Sequence, residues 1–210
     1  MTREHVIFPC GEINLEGVLH LAAGNGPFAG VVVCHPHPLY GGDMENGVVV
    51  AICQALVTRS ITALRFNFCG AGGSSGRFGG GVKERDDVKA ALDYLAARKE
   101  INAEKLGLAG YSFGGAVAFA AAQEDPRVKK LALVSPALDD GGWAQLKAWS
   151  RPKLILLGDA DTMVPYNRLK KYFEDGGDFQ AFHGVDHFWW GFEEEIGKRV
   201  SEFFARESSK

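Results

Sequence analysis

Five short, almost uninterrupted apolar runs set the pattern of this chain: GVVVC (30–34), ITALRF (61–66), KLGLAG (105–110), KLALVS (130–135) and KLILLG (153–158). Runs of this length and composition belong to strands covered on both faces. Between them lie stretches with helical spacing at 44–58, 82–99, 113–123, 165–174 and 191–205; the second opens with acidic residues and sets Val88, Leu92 and Leu95 on one face. Strand therefore alternates with helix. That predicts right-handed crossovers and a doubly wound, mostly parallel sheet inside a three-layer α/β/α sandwich. Residues 4–8 and 12–21, split by Pro9 and Gly11, alternate apolar and other side chains and predict an antiparallel pair at the sheet's edge. A sheet of this kind gathers its functional groups on loops at the carboxyl ends of its strands.

A chain of 210 residues, 46% of them hydrophobic, can bury one substantial core, so residues 1–210 read as a single domain. The glycine-dense GAGGSSGRFGGG (70–81) reads as a flexible loop and not as a boundary. A net charge of −3 without a basic stripe argues against nucleic acid or an anionic membrane as partner. No apolar run reaches the roughly 18 residues of a membrane span. The opening MTREHVIFPCGEINLEG lacks the apolar stretch of a signal peptide, so a cytoplasmic location is expected. Cys10, Cys34, Cys53 and Cys69 are widely spaced without a CxxC pair, which suits reduced structural thiols.

After KLGLA come Gly110, Tyr111, Ser112, Phe113, Gly114 and Gly115, then the small-residue stretch AVAFAAA. This is a GxSxG pattern between a strand and a helix. A serine hydroxyl is a poor nucleophile unless it projects beside a base, and a sharp strand-to-helix turn projects it. The same turn sets the Phe113 amide and the positive end of the following helix where a developing oxyanion would lie. The alternative is a glycine-rich junction with no chemistry. The loop has neither the GxGxxG spacing of a dinucleotide site nor the GK[ST] ending of a phosphate loop.

KLILLG runs into Asp159 and Asp161, and the strand-like DFQAFHG (178–184) runs into Val185, Asp186, His187 and Phe188. A hydroxyl, a carboxylate and an imidazole thus follow three strands in the order Ser, Asp, His. His187 would take the serine proton and a carboxylate would fix its tautomer. Either aspartate could do so, and each could instead be a turn or capping residue ahead of Pro165. His183 is the second candidate base. His35, His37, Asp43 and His187 are residue types that suit zinc. Two prolines, however, extend the HPHP backbone, and a metal leaves the serine turn unexplained. Neither metal nor cofactor is expected, and His35 is expected to be a buried ring that ties down its loop.

These segments resemble the α/β-hydrolase superfamily over roughly residues 10–205. The stretch from Gly158 to Pro165 is similar to that superfamily's GxxDxxVP turn, and the resemblance assigns the acid to Asp161. CHPHPLYGGDMENG (34–47) resembles its HGxP oxyanion loop with Pro36 in place of glycine, which implies the backbone amide of His37 as a second oxyanion donor beside Phe113. Prolines cannot donate, which leaves His37, Leu39 and the residues after them. The HPHPxxGG form and RFNFCGAGGSSG (65–76) are similar to short bacterial hydrolases related to dienelactone hydrolases, with Cys69 where arginine is common. Dienelactone hydrolases proper use a cysteine nucleophile, so Ser112 argues against that activity.

Larger members of the superfamily insert a lid where this chain has only ALDDGGWAQLKAWSRP (137–152), so an open site is expected. Tyr40, Phe188 and Trp189, with Trp143, Trp149 and Trp190, are the candidate apolar wall; the same rings could equally pack between helices or at a dimer contact. The expectation is a serine hydrolase, monomer or homodimer, that cleaves small carboxylic esters through an acyl-enzyme. Thioester cleavage, acyl transfer and peptide hydrolysis would use the same groups, and a non-catalytic binding protein is the other class.

Overall fold

The computed structural model describes residues 2–172 and 179–206. In chain order the elements are β1 (Thr2–Cys10), β2 (Ile13–Leu21), β3 (Phe28–Cys34), α1 (Gly47–Thr58), β4 (Ile61–Phe66), α2 (Glu84–Ala96), β5 (Ile101–Tyr111), α3 (Phe113–Glu124), β6 (Val128–Val134), α4 (Asp140–Ala148), β7 (Lys153–Gly158), α5 (Tyr166–Leu169), β8 (Phe179–Phe182) and α6 (Glu193–Ala205). The strands form an eight-stranded sheet in the order β1-β2-β4-β3-β5-β6-β7-β8. β2 runs antiparallel to β1 and β4, and every other pairing is parallel. The sheet is doubly wound and mostly parallel, as the alternation predicts.

Successive residues of the inner strands feed opposite cores, because side chains alternate across a strand. Val32, Leu108, Leu131, Leu133, Ile155 and Leu157 pack with α2, α3 and α4. Their neighbours Val31, Val33, Ala132, Val134, Leu154 and Leu156 pack with α1 and α6. Val88, Leu92 and Leu95 of α2 are all fully buried, which accounts for their spacing.

Several expectations change. Helix α4 lies inside the stretch read as a bare connection; Asp139 caps it by accepting from the Gly142 amide (2.7 Å), and burial of Trp143 and Leu146 holds it despite Gly141 and Gly142. Trp143 is therefore core and not wall, and its indole N–H donates to the Leu138 carbonyl (3.0 Å). Trp149 packs edge-on against Phe119 under the Arg151 guanidinium, so it too leaves the wall. Helix α1 starts at Gly47 because Asn46 caps it, and the predicted helix at 165–174 is α5 followed by a 3-10 turn to Tyr172, with its last residues outside those described.

Buried polar side chains lock the loops at the carboxyl edge. Arg65 donates to His20 Nε2 (3.0 Å), to the Met44 carbonyl (2.8 Å) and to Glu45 (2.5 Å). Asn67 accepts from the Met44 amide (2.8 Å) and donates to Glu16. His35 donates from Nδ1 to the Pro36 carbonyl (2.6 Å) and accepts at Nε2 from the Phe68 amide (3.0 Å). Both imidazoles need a bare Nε2 for these bonds, so both are neutral. Burial lowers each pKa from 6.5 to about 4, and at His20 the Arg65 charge adds to the effect.

Below pH 6.5 the unfolded chain takes up protons that these two rings refuse until about 4. Folding stability must therefore fall across that window as acid is added. Asp87, whose pKa burial raises, offsets part of this as it protonates. Urea unfolding should give a stability lower by about 2 kcal/mol per ring at about pH 5 than at about pH 7, before that offset. A flat profile would contradict the two neutral rings.

Candidate active site

β5 ends at Tyr111 and α3 begins at Phe113, which leaves Ser112 alone on the turn with φ of 54° and ψ of −120°. Such a backbone costs a serine on the order of 1–3 kcal/mol and persists only where the surroundings dictate it. Here they do. A Cβ at Gly110 would lie 2.4 Å from the Gly114 carbonyl, and one at Gly114 would lie 2.3 Å from the His35 carbonyl at the end of β3. The Ser112 amide donates to the Val134 carbonyl (2.9 Å), and its carbonyl accepts from Ala116 and Ala137.

Two further loops bring an imidazole and a carboxylate to this serine. Ser112 Oγ lies 2.9 Å from His187 Nε2, and His187 Nδ1 lies 2.8 Å from Asp161 Oδ2. All three side chains are buried, that of Asp161 completely. Asp161 Oδ1 accepts from the amides of Met163 (2.9 Å) and Val164 (2.8 Å). Burial resists the charge on Asp161, but hydrogen bonds from His187, the Val164 amide and Ser135 outweigh it and hold its pKa below the ordinary aspartate value. An ionised acceptor fixes the Nδ1–H tautomer, which leaves Nε2 free to accept the serine proton.

The two loops are stapled together. The amides of Asp159 and Ala160 donate to the carbonyls of Phe182 and Val185, and a Cβ at Gly158 would lie 2.0 Å from the latter. Asp159, the second carboxylate considered, bonds the Gly184 amide (2.7 Å) and exposed His183 (2.9 Å). His183 thus pairs with the neighbouring loop. Tyr111, which sequence reasoning passed over, donates its phenol to the His187 carbonyl (2.7 Å).

The HPHP loop lies against the start of α3, with the His37 ring 4.8 Å from the Phe113 ring. From His37 to Gly42 the amides of Leu39, Tyr40, Gly41 and Gly42 all donate within the loop, to His37 Nδ1, the His37 carbonyl, the Pro38 carbonyl and the His37 carbonyl. Position 38 is proline, so among these described residues the His37 amide alone has no acceptor. Cys69, where the resembling motif has arginine, lies between two buried carboxylates: its amide donates to Asp87 (2.8 Å) and its thiol to Glu84 (3.7 Å). Among the described residues no three of His, Cys, Asp and Glu stand together as metal ligands would.

Of the candidate wall, Tyr40, Phe188 and Trp190 are exposed, and Tyr40 flanks His37 (4.7 Å) while Phe188 flanks His187 (6.0 Å). Exposed Leu39 and Met163 lie on the same two loops as His37 and Asp161 and carried no aromatic signal. Trp189 is the correction. It is 0% exposed, packs edge-on against Phe182 and donates its indole N–H to Ser135 Oγ (3.0 Å), so its side chain is core and not substrate wall.

A family model described as serine aminopeptidase, S33 matches residues 26–143. The uncharacterized protein RP471 of Rickettsia prowazekii is 34% identical over 190 residues, which is 85% of this chain and 79% of that protein. A bis(hydroxyethyl) terephthalate hydrolase of Streptomyces coelicolor is 34% identical over 91 residues, 41% of this chain and 28% of the enzyme. Among solved structures, an alpha-beta serine hydrolase homologue from Coxiella burnetii superposes with a TM-score of 0.84 at 32% identity, covering 96% of this chain and 97% of that one. Sheet order and these likenesses agree: the chain belongs to the serine hydrolases of the α/β-hydrolase superfamily, within the family described as serine aminopeptidase, S33.

Proposed function

We propose that this chain hydrolyses small carboxylic esters through an acyl-enzyme on Ser112. The observation that carries the reading is the unbroken hydrogen-bond chain from Ser112 Oγ through His187 to Asp161, at 2.9 and 2.8 Å. Ser112 Oγ attacks the ester carbonyl carbon as its proton passes to His187 Nε2. Asp161 stabilises the imidazolium and holds its orientation. The oxyanion is met by the amides of Phe113 and His37 and by the positive end of α3. His187 then gives its proton to the alkoxy oxygen as the carbon–oxygen bond breaks and the alcohol leaves. Water, deprotonated by His187, attacks the acyl-enzyme, and Ser112 leaves as a hydroxyl with the proton returned from His187.

The exposed rim of Leu39, Tyr40, Met163, Phe188 and Trp190 supports an apolar acyl or aryl group, and the short β6–β7 connection, which holds only α4, supports an open site. The name of the Streptomyces relative, an ester hydrolase, points the same way. Thioesters, acyl acceptors other than water and peptides would meet the same groups. We read one cytoplasmic domain, monomer or homodimer, that needs no cofactor.

With p-nitrophenyl acetate, Ser112→Ala should lower kcat by about 10⁴-fold or more, and Asp161→Ala by about 10²–10⁴-fold, with KM little changed. Retention of more than about a tenth of kcat by Ser112→Ala would refute the nucleophile. Across p-nitrophenyl esters, kcat/KM should peak between acetate and octanoate; a peak at chains of about twelve carbons or more would refute the short-acyl reading.

A further inference from the structure

His187 lies on the connection between β8 and α6, outside the ladders that fix the backbone of a strand. Its carbonyl nevertheless has a partner. The phenol of Tyr111 donates to it at 2.7 Å, and Tyr111 is the residue before Ser112 in the chain. Tyr111 ends β5, stands in register with Val134 of β6 and is only 4% exposed. Its side chain enters the core formed with α1 and α6, and so do Val185 and Trp189, which flank His187 two residues away on either side. The phenol ring lies 5.7 Å from the imidazole. Burial and the negative charge of Asp161 push the phenol pKa up, so it keeps its proton and remains a donor.

Two consecutive residues therefore grip the histidine at opposite ends. Tyr111 holds its backbone carbonyl, and Ser112 Oγ meets ring Nε2 at 2.9 Å. Asp161 meets Nδ1 at 2.8 Å. Bonds to the ring alone would let the loop and the imidazole shift together, whereas a fixed carbonyl leaves only the rotations about the side-chain bonds. The ring contacts at both nitrogens then settle those. Because the peptide link between Tyr111 and Ser112 is planar and stiff, the anchor and the hydroxyl cannot drift apart.

We propose that Tyr111 is a positioning residue for the proposed ester hydrolysis: its phenol anchors the backbone of His187 so that Nε2 stands at bonding distance from Ser112 Oγ. The inference rests on the Ser112–His187–Asp161 reading and adds one residue to it. Tyr111 is buried and acts on the reaction only through His187. That separates a positioning role from a packing role.

The test is a double-mutant cycle of Tyr111→Phe and His187→Ala, read as kcat and KM with p-nitrophenyl acetate. Tyr111→Phe keeps the ring and removes one hydroxyl. It should lower kcat about tenfold with KM unchanged, since displacing a reacting group by about 1 Å can cost about 10²-fold. In a His187→Ala background no imidazole is left for the phenol to place. There Tyr111→Phe should change the residual kcat, with or without free imidazole added, less than about twofold. A merely structural role would slow both backgrounds alike, because it would disturb Ser112 and the oxyanion amides as well. Undiminished kcat in Tyr111→Phe, or the same loss in both backgrounds, would overturn the proposal. If Tyr111→Phe does not fold, Tyr111→Leu, which also lacks the hydroxyl, completes the same cycle. Ser112→Ala assayed alongside separates the two readings: activity surviving there refutes the nucleophile, whereas activity lost there but intact in Tyr111→Phe refutes the anchor alone.

Discussion

At the turn between β5 and α3 there is no room for side chains, and the site is built around that fact. The carbonyls of Cys34 and His35 at the end of β3 press against Gly114, the Gly114 carbonyl presses against Gly110, and Pro136 presses against Gly115. Backbone therefore meets backbone on both sides of Ser112, and the residue between has nowhere to put its hydroxyl but outward, past the edge of the sheet. The left-handed backbone at Ser112 follows from that crowding. So do the unclaimed amide at Phe113 and the approach of the HPHP loop, whose His37 ring rests on Phe113.

What surrounds the serine is polar, buried and almost fully paired. Arg65, Asn67 and His35 lock the β3–α1 connection onto β4 and the segment after it, while Asp159 and Gly158 lock the loop that carries Asp161 onto the loop that carries His187. Each tie removes a way for the loops to drift relative to one another. Low dielectric makes such bonds strong when complete and costly when broken. The neutral state of His20 and His35 belongs to the same arrangement, since a proton on either Nε2 would displace the donor it accepts. On our reading, catalysis then needs no large rearrangement: the hydroxyl, imidazole and carboxylate already stand in bonding order before substrate arrives.

The sheet was legible because its inner strands have no solvent face. Runs such as KLILLG carry no alternation, and the structure shows why: Ile155 and Leu157 enter one core while Leu154 and Leu156 enter the other. The serine turn was legible because close backbone contact leaves glycine as its trace. Helix α4 was not, since Gly141 and Gly142 weaken its local preference and only the burial of Trp143 and Leu146 sustains it. Trp189 was noticed for its aromatic character, but a sequence does not say which side of a loop a ring turns to. Trp190 is exposed and Trp189 is buried, one residue apart. Ser135 left no mark of its own beyond its place at the end of KLALVS. Its partner Trp189 lies 54 residues away and meets it only once the sheet is assembled.

The central claim is that the hydroxyl of Ser112 is an activated nucleophile. A fluorophosphonate probe forms a covalent bond preferentially with a serine so activated, and mass spectrometry of the digested protein locates the bond. The account predicts one adduct, on the peptide that contains Ser112, and none in Ser112→Ala. A folded protein left unlabelled, or labelled on another residue, would contradict it.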